Sequence, residues 1–191
     1  DLSPIPKAEI SYICDGIDRS GWLLQQLIKL NADSVCENDM YLVLDADTVL
    51  IQDHIFFNGK TIFRFDKKYY EPFFRTHEAL FNSRPTSVVS YICHLMLFNV
   101  DVLKNFKNTL SQLHQCSWST AILGVMDTNE KSYFSEYESY GNFFSQHYKR
   151  NMELRYSHNL AIPRNSSLDL DQLIARYSAV AQSISMHEYR R

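Results

Sequence analysis

One stretch constrains the fold more than any other. Residues 41–51 read YLVLDADTVLI, an apolar run from Tyr41 to Leu44 that stops abruptly at Asp45-Ala46-Asp47. A strand without polar alternation is expected where helices cover both faces of a sheet. The segment therefore predicts the central strand of an α/β sheet. Carboxylates at i and i+2 project to the same side of an extended backbone. Asp45 and Asp47 would leave together from the strand's C-terminal end, where open α/β sheets bind ligands. Two hard oxygen donors flanking one small residue suit Mn2+ or Mg2+ and leave coordination positions for diphosphate oxygens and water. The same pair also reads as turn or cap residues after a strand, and spacing alone does not separate the two.

Strand and helix patterns alternate on both sides of this segment. Residues 8–14 read as a short strand, with Gly16 and Asp18 marking a turn. Trp22, Leu23, Leu27, Ile28 and Leu30 recur at helical spacing behind Ser20, which predicts an amphipathic helix over 20–32. Asn58-Gly59 between apolar residues predicts a hairpin within 56–66. Further helices are expected over 69–82, 101–115, 117–125, 135–148 and 168–178, and strands over 87–98, 152–162 and 179–189. In the helix over 135–148, Ser135 sits at the cap position. Glu136 and Glu138 occupy the first turn, where the helix dipole favours acids. The order predicts an α/β fold with a mixed, mostly parallel sheet flanked by helices. With only five Gly and five Pro there is no linker to divide the chain, so residues 1–191 are expected to form one domain.

Composition narrows the function classes. A chain of 191 residues with 45% hydrophobic and 21% charged residues has enough apolar surface for one core. The net charge of -3 gives no global basic footprint for nucleic acid. No apolar run approaches the roughly 20 residues that cross a bilayer. The opening DLSPIPKAEI lacks the basic-then-apolar pattern of a secretory leader. Cys14, Cys36, Cys93 and Cys116 form no CxxC pair and are expected to be free thiols of a reducing compartment, with two disulfides as the alternative and Cys93 buried in an apolar run. No glycine-rich phosphate loop is present.

The segment YLVLDADTVLI resembles the strand and DxD motif of GT-A glycosyltransferases. VVSYICHLMLFNVDVL, residues 88–103, resembles the glycogenin- and galactosyltransferase-type segment in which an apolar strand ends in Asn and leads into an aliphatic helix. GWLLQQLIKL, YLVLDADTVL, HLMLFN and SEYESYGNF, in this order across residues 20–150, look like a bacterial family of GT-A-like proteins. The resemblance implies a Rossmann-like GT-A domain. It would move a sugar from a nucleotide-sugar donor to a glycan or lipid-linked glycan hydroxyl in polysaccharide biosynthesis, with Mn2+ or Mg2+ as cofactor. It also implies a cytoplasmic setting, and leaves contact with the inner membrane face and homo-oligomer formation open.

Roles follow from the resemblance residue by residue. Asp45 would face the ribose or the metal, and Asp47 would ligate the metal. A third ligand would come from a His near the end of the last core strand, best matched by His187, with His158 as rival. His94 and Asn99 would contact donor or acceptor, and Gln25 or its neighbour Gln26 the donor. Glu136 or Glu138 would be the general base. Plainer readings stand beside these: a core histidine for His94, a helix cap for Asn99, and dipole complementarity for the two glutamates. The sequence departs from the GT-A pattern at one point. The DxD arrives after only a short strand and a helix, so the nucleobase-binding first unit is expected to be missing, as in a domain truncated at its N-terminus. That departure raises a second reading, a non-catalytic module that binds carbohydrate or metal. A metal-dependent phosphohydrolase with Asp45 as nucleophile is a third, opposed by the lack of an accompanying Lys and Thr constellation.

Overall fold

The computed structural model describes residues 2–85, 87–164 and 169–187. The chain runs β1 (Ile13–Cys14), β2 (Ile17–Asp18), α1 (Ser20–Asn31), β3 (Met40–Leu44), β4 (Thr48–Leu50), β5 (Thr61–Phe65) and α2 (Glu71–Phe81). It continues through β6 (Leu95–Asn99), α3 (Val100–His114), α4 (Trp118–Gly124), α5 (Glu136–His147), β7 (Met152–Tyr156), β8 (Asn159–Pro163), α6 (Leu170–Tyr177) and β9 (Ser183–His187). Local chemistry sets the ends. Asp15 and Gly16, with φ of 51° and 71°, make the left-handed pair that joins β1 to β2. Asn99, Ser117 and Ser135 accept the backbone N–H of Val102, Thr120 and Glu138 and so cap α3, α4 and α5. Asp169 and Gln172 form a reciprocal capping box on α6.

The fold is α/β, built on small mixed sheets. Among the described residues, β1–β2, β3–β6 and β4–β9 pair antiparallel, while β5–β7 and β8–β9 pair parallel. The expectation of a mostly parallel sheet is corrected accordingly, and β3 shows why. Its only ladder partner among the described residues is β6. Leu42 and Leu44 on one face are 41% and 40% exposed, whereas Tyr41 and Val43 pack on the main core. One covered face and one open face is the habit of antiparallel pairs. The alternation was hidden because the outward positions carry leucine.

Three other segments differ from expectation. Asn58-Gly59 turns the chain, but only Gly59 takes positive φ, at 87°. The turn closes with a single bridge between Phe57 and Thr61, and β5 then pairs with β7. The strand expected over 87–98 is regular only from Leu95; before it, Ser90 bridges Asp66. The strand expected over 152–162 divides at Ser157 and His158 into β7 and β8.

The main core gathers Leu27, Phe63, Phe98, Phe106, Tyr140 and Phe144, all at most 2% exposed. Helix α5 lies at its middle, in contact with α1, α2 and α3, and residues 136–144 of the helix are all buried. Gly141 is required there. A Cβ at this position would stand 2.4 Å from Tyr91 Cγ, which explains a glycine in a helix interior despite its cost of about 1 kcal/mol. A second, smaller cluster of Ile51, Ile162, Leu173, Ala181 and Ile184 joins β4, β8, β9 and α6. All four cysteines are free thiols, and Cys93 is buried as expected. Among the described residues no helix is long and apolar enough to cross a membrane.

Candidate metal and substrate site

The Asp-Ala-Asp segment is where the chain passes from one ladder to another. Leu44 pairs with Leu95, and one step further the Asp45 N–H donates to the His94 carbonyl at 2.9 Å. On the other side Thr48 pairs with Ser185, and the Met186 N–H donates to the Asp47 carbonyl at 2.7 Å. A turn closed by Thr48 N–H to the Asp45 carbonyl, 2.9 Å, brings the two carboxylates around Ala46. The β3–β6 register therefore sets His94 opposite Asp45, although 49 residues separate them in sequence.

His94 is held in an uncommon state. Its φ is 63°, in the left-handed region that is uncommon for residues other than glycine. In this conformation its carbonyl continues the ladder while its ring turns back, with Nδ1 3.2 Å from Asp45 Oδ2. One ligand atom each from Asp45, Asp47 and His94 lies within 4.8 Å of the others. Two carboxylate oxygens and an imidazole nitrogen fit a small divalent cation such as Mn2+, with imidazole weighing against Mg2+.

Behind Asp45 stands a buried charge cluster. Lys29 Nζ on α1 is 2.6 Å from Asp45 Oδ1 and 2.7 Å from Glu136 Oε1. Tyr137 donates its hydroxyl to Asp45 Oδ1 at 2.9 Å, and Lys29 lies over the same ring, 4.5 Å from its centroid. Burial opposes the charge on Lys29, but Glu136 and Asp45 outweigh it and hold its pKa above the ordinary lysine value. Burial would likewise raise Asp45, but the bonds from His94 and Lys29 prevail and keep it low. For Glu136 burial dominates, and its pKa is raised despite Lys29.

A cavity of about 780 Å³ opens at His94. His94, Cys93 and Ser90 form part of its wall, with Tyr70, Phe73 and Arg19 also lining it. It combines aromatic faces, hydroxyls and a guanidinium, a lining suited to a polyhydroxylated ligand.

The residues named from sequence are distributed unevenly. Asp45, Asp47 and His94 come together, with His94 Nδ1 3.2 Å from Asp45 Oδ2. Glu136 joins the cluster through Lys29. Glu138, two residues on and so on another side of α5, faces Ser90, Tyr91 and Asn142 instead. Asn99 caps α3 and pairs with Met40 at the opposite end of the ladder, roughly 14 Å from the Asp45 end at the rise of a strand. Gln25 is exposed on α1, whereas Gln26 is buried and accepts the Glu136 N–H at 3.4 Å. The side chain of His187 lies outside the described residues, and its backbone pairs with Pro163. His158 is exposed, its carbonyl accepting the N–H of Gln182.

Lys29, Tyr137 and Ser90 are not singled out as site residues by the sequence. Between the two glutamines a signal favours Gln26, which falls on the buried stripe of Leu23, Leu27 and Leu30 where Gln25 does not. None existed for Lys29, whose two partners are 16 and 107 residues away.

Comparison with known proteins gives one match. A family profile described as "Family of unknown function (DUF6492)" matches residues 14–185. No curated protein and no solved structure matches the chain.

Proposed function

The chain belongs to the DUF6492 family, and we propose for it a metal-dependent glycosyltransferase function: transfer of a sugar from a nucleotide-sugar donor to a glycan or lipid-linked glycan hydroxyl. The observation that carries this reading is the convergence of Asp45, Asp47 and His94 beside a cavity large enough for a glycosyl ligand. The GT-A-like, Rossmann-like architecture is part of the same proposal and rests on the sequence motifs.

Asp45, Asp47 and His94 would hold Mn2+, or Mg2+ with weaker support, and the bound cation would neutralise charge on the nucleotide diphosphate that leaves. The protein's own residues prepare that site. Lys29 and Tyr137 occupy Asp45 Oδ1, fixing the carboxylate so that Oδ2 faces His94. Such outer contacts orient a ligand and tune its affinity. Glu136 is committed to Lys29, and its part is to keep that ammonium in place.

Calorimetric titration of Mn2+ with and without UDP, GDP and CMP tests the reading, on wild type and Asp47→Ala. Nucleotide-enhanced Mn2+ binding that disappears in Asp47→Ala is the expected outcome, and the nucleotide that enhances it names the donor base. Folded protein that binds neither metal nor nucleotide would sink the proposal and leave Asp45 as a member of a structural charge cluster.

A further inference from the structure

We propose that Ser90 and Glu138 form a proton relay opening into the cavity: the Ser90 hydroxyl takes the proton of a bound acceptor hydroxyl and passes its own to Glu138. The inference rests on the transferase reading for the existence of that acceptor.

The geometry supplies each part. Ser90 Oγ donates to Glu138 Oε2 at 2.7 Å and accepts the Ile92 N–H at 3.2 Å. A hydroxyl has one hydrogen and two lone pairs, so one acceptor position of Ser90 remains. Ser90 lines the cavity beside His94, and that is where the position can be filled. Glu138 is 1% exposed and out of direct reach of a ligand. Its remaining contacts are the Tyr91 N–H at 3.1 Å on Oε2 and Asn142 Nδ2 at 3.0 Å on Oε1.

These donors are all neutral. Burial pushes the Glu138 carboxyl up to about 7, with the bonds from Ser90, Tyr91 and Asn142 opposing it. A group that titrates near neutrality is ionised often enough to take a proton and basic enough to keep it. The ionisable groups packed around it do not compete. Burial pushes the Cys93 thiol up to about 12. Tyr137 and Tyr140 on α5 are also raised by burial and stay protonated. Arg64 in β5 and Asp66 just beyond it act electrostatically on Cys93, and neither is bonded to Glu138.

A fastening role alone does not account for the arrangement. The Ser90 backbone is already anchored by reciprocal bonds with Asp66, at 2.8 and 2.9 Å. Tyr91 is pressed against Gly141 of α5. The Ser90 to Glu138 bond is an addition to a segment fixed by other means.

The step balances. The acceptor O–H bond breaks and its proton moves to Ser90 Oγ, while the Ser90 hydrogen moves to Glu138 Oε2, leaving a neutral carboxylic acid. The acceptor oxygen forms the new bond to the sugar carbon, and the nucleoside diphosphate departs with the electron pair of the bond that breaks.

The test measures release of nucleoside diphosphate from a nucleotide sugar with Mn2+, water serving as acceptor, from pH 5 to 9. The wild-type rate is expected to rise through a limb near pH 7. Ser90→Ala and Glu138→Gln are each expected to lower kcat by about 100-fold or more and to lose that limb, with Mn2+·nucleotide affinity unchanged. Ser90→Thr, which keeps the hydroxyl, should restore both. A proton inventory on wild type in H2O/D2O mixtures reads the relay without any variant: two protons in flight give a bowed plot. Wild-type kcat and limb in Ser90→Ala, or a linear inventory, would overturn the relay and leave the transferase reading standing. Absence of metal-dependent nucleotide binding in wild type would overturn that reading and the relay with it.

Discussion

Glu136 and Glu138 sit two residues apart in the first turn of α5, each 1% exposed, yet their surroundings are opposite. Glu136 meets the ammonium of Lys29, which it shares with Asp45. Glu138 meets a hydroxyl, a backbone N–H and an amide, with no cation bonded to it. The contrast teaches how one helix end can serve two chemistries. A buried carboxylate with a fixed counter-charge holds something in place. A buried carboxylate with only neutral donors retains a proton affinity near neutrality and can exchange.

The largest test of this contrast removes the counter-charge. Lys29→Met leaves Asp45 and Glu136 buried without their cation, and breaking a buried pair from one side costs about 3–5 kcal/mol. Urea unfolding at pH 7 should show a loss of that order. A loss below about 1 kcal/mol would mean that the two carboxylates do not depend on Lys29.

The second test reads Glu138 through pH. Its carboxyl is raised from 4.5 to about 7 by burial, so the native state binds its proton more tightly than the unfolded chain does. The associated stability is fully present below about pH 4.5 and is lost as pH rises to about 7. The total is about 3 kcal/mol at roughly 1.4 kcal/mol per pH unit. Unfolding free energies across that window should show a decline in wild type that includes this contribution, and Glu138→Gln should make it shallower by about that amount. An equal decline in both proteins would place the titration elsewhere.

The smallest expected effect concerns what holds the neutral site together. Gly141→Ala drives a methyl group into Tyr91, which must move, and overpacking of this kind costs about 1–3 kcal/mol. Because the Tyr91 N–H bonds Glu138, thermal unfolding should show the loss while the pH dependence ascribed to Glu138 shifts. Unchanged stability would show that Tyr91 has room to yield.

How much of this was legible in the sequence depended on the range of the interaction. The abrupt end of an apolar strand placed Asp45 and Asp47, and the cap of α5 followed from Ser135 and its acids, because these are local patterns. His94 stands out in the sequence as a polar residue in an apolar run, but its place opposite Asp45 follows from the β3–β6 register, which one strand alone does not specify. The open face of β3 was concealed by outward leucines. The opposite environments of Glu136 and Glu138 were not legible, because their partners come from α1 and from residues 90–91, brought together only by tertiary packing.

Asp45 is tied by its backbone to the ladder of β6, and Asp47 to that of β9. A cation gripped by both side chains would be a cross-brace between two sheets, its grip set by the distance between them. Metal affinity would then act as a gauge of sheet spacing, and a substitution in the small cluster of Ile162, Leu173 and Ile184 could register at the cation without touching it.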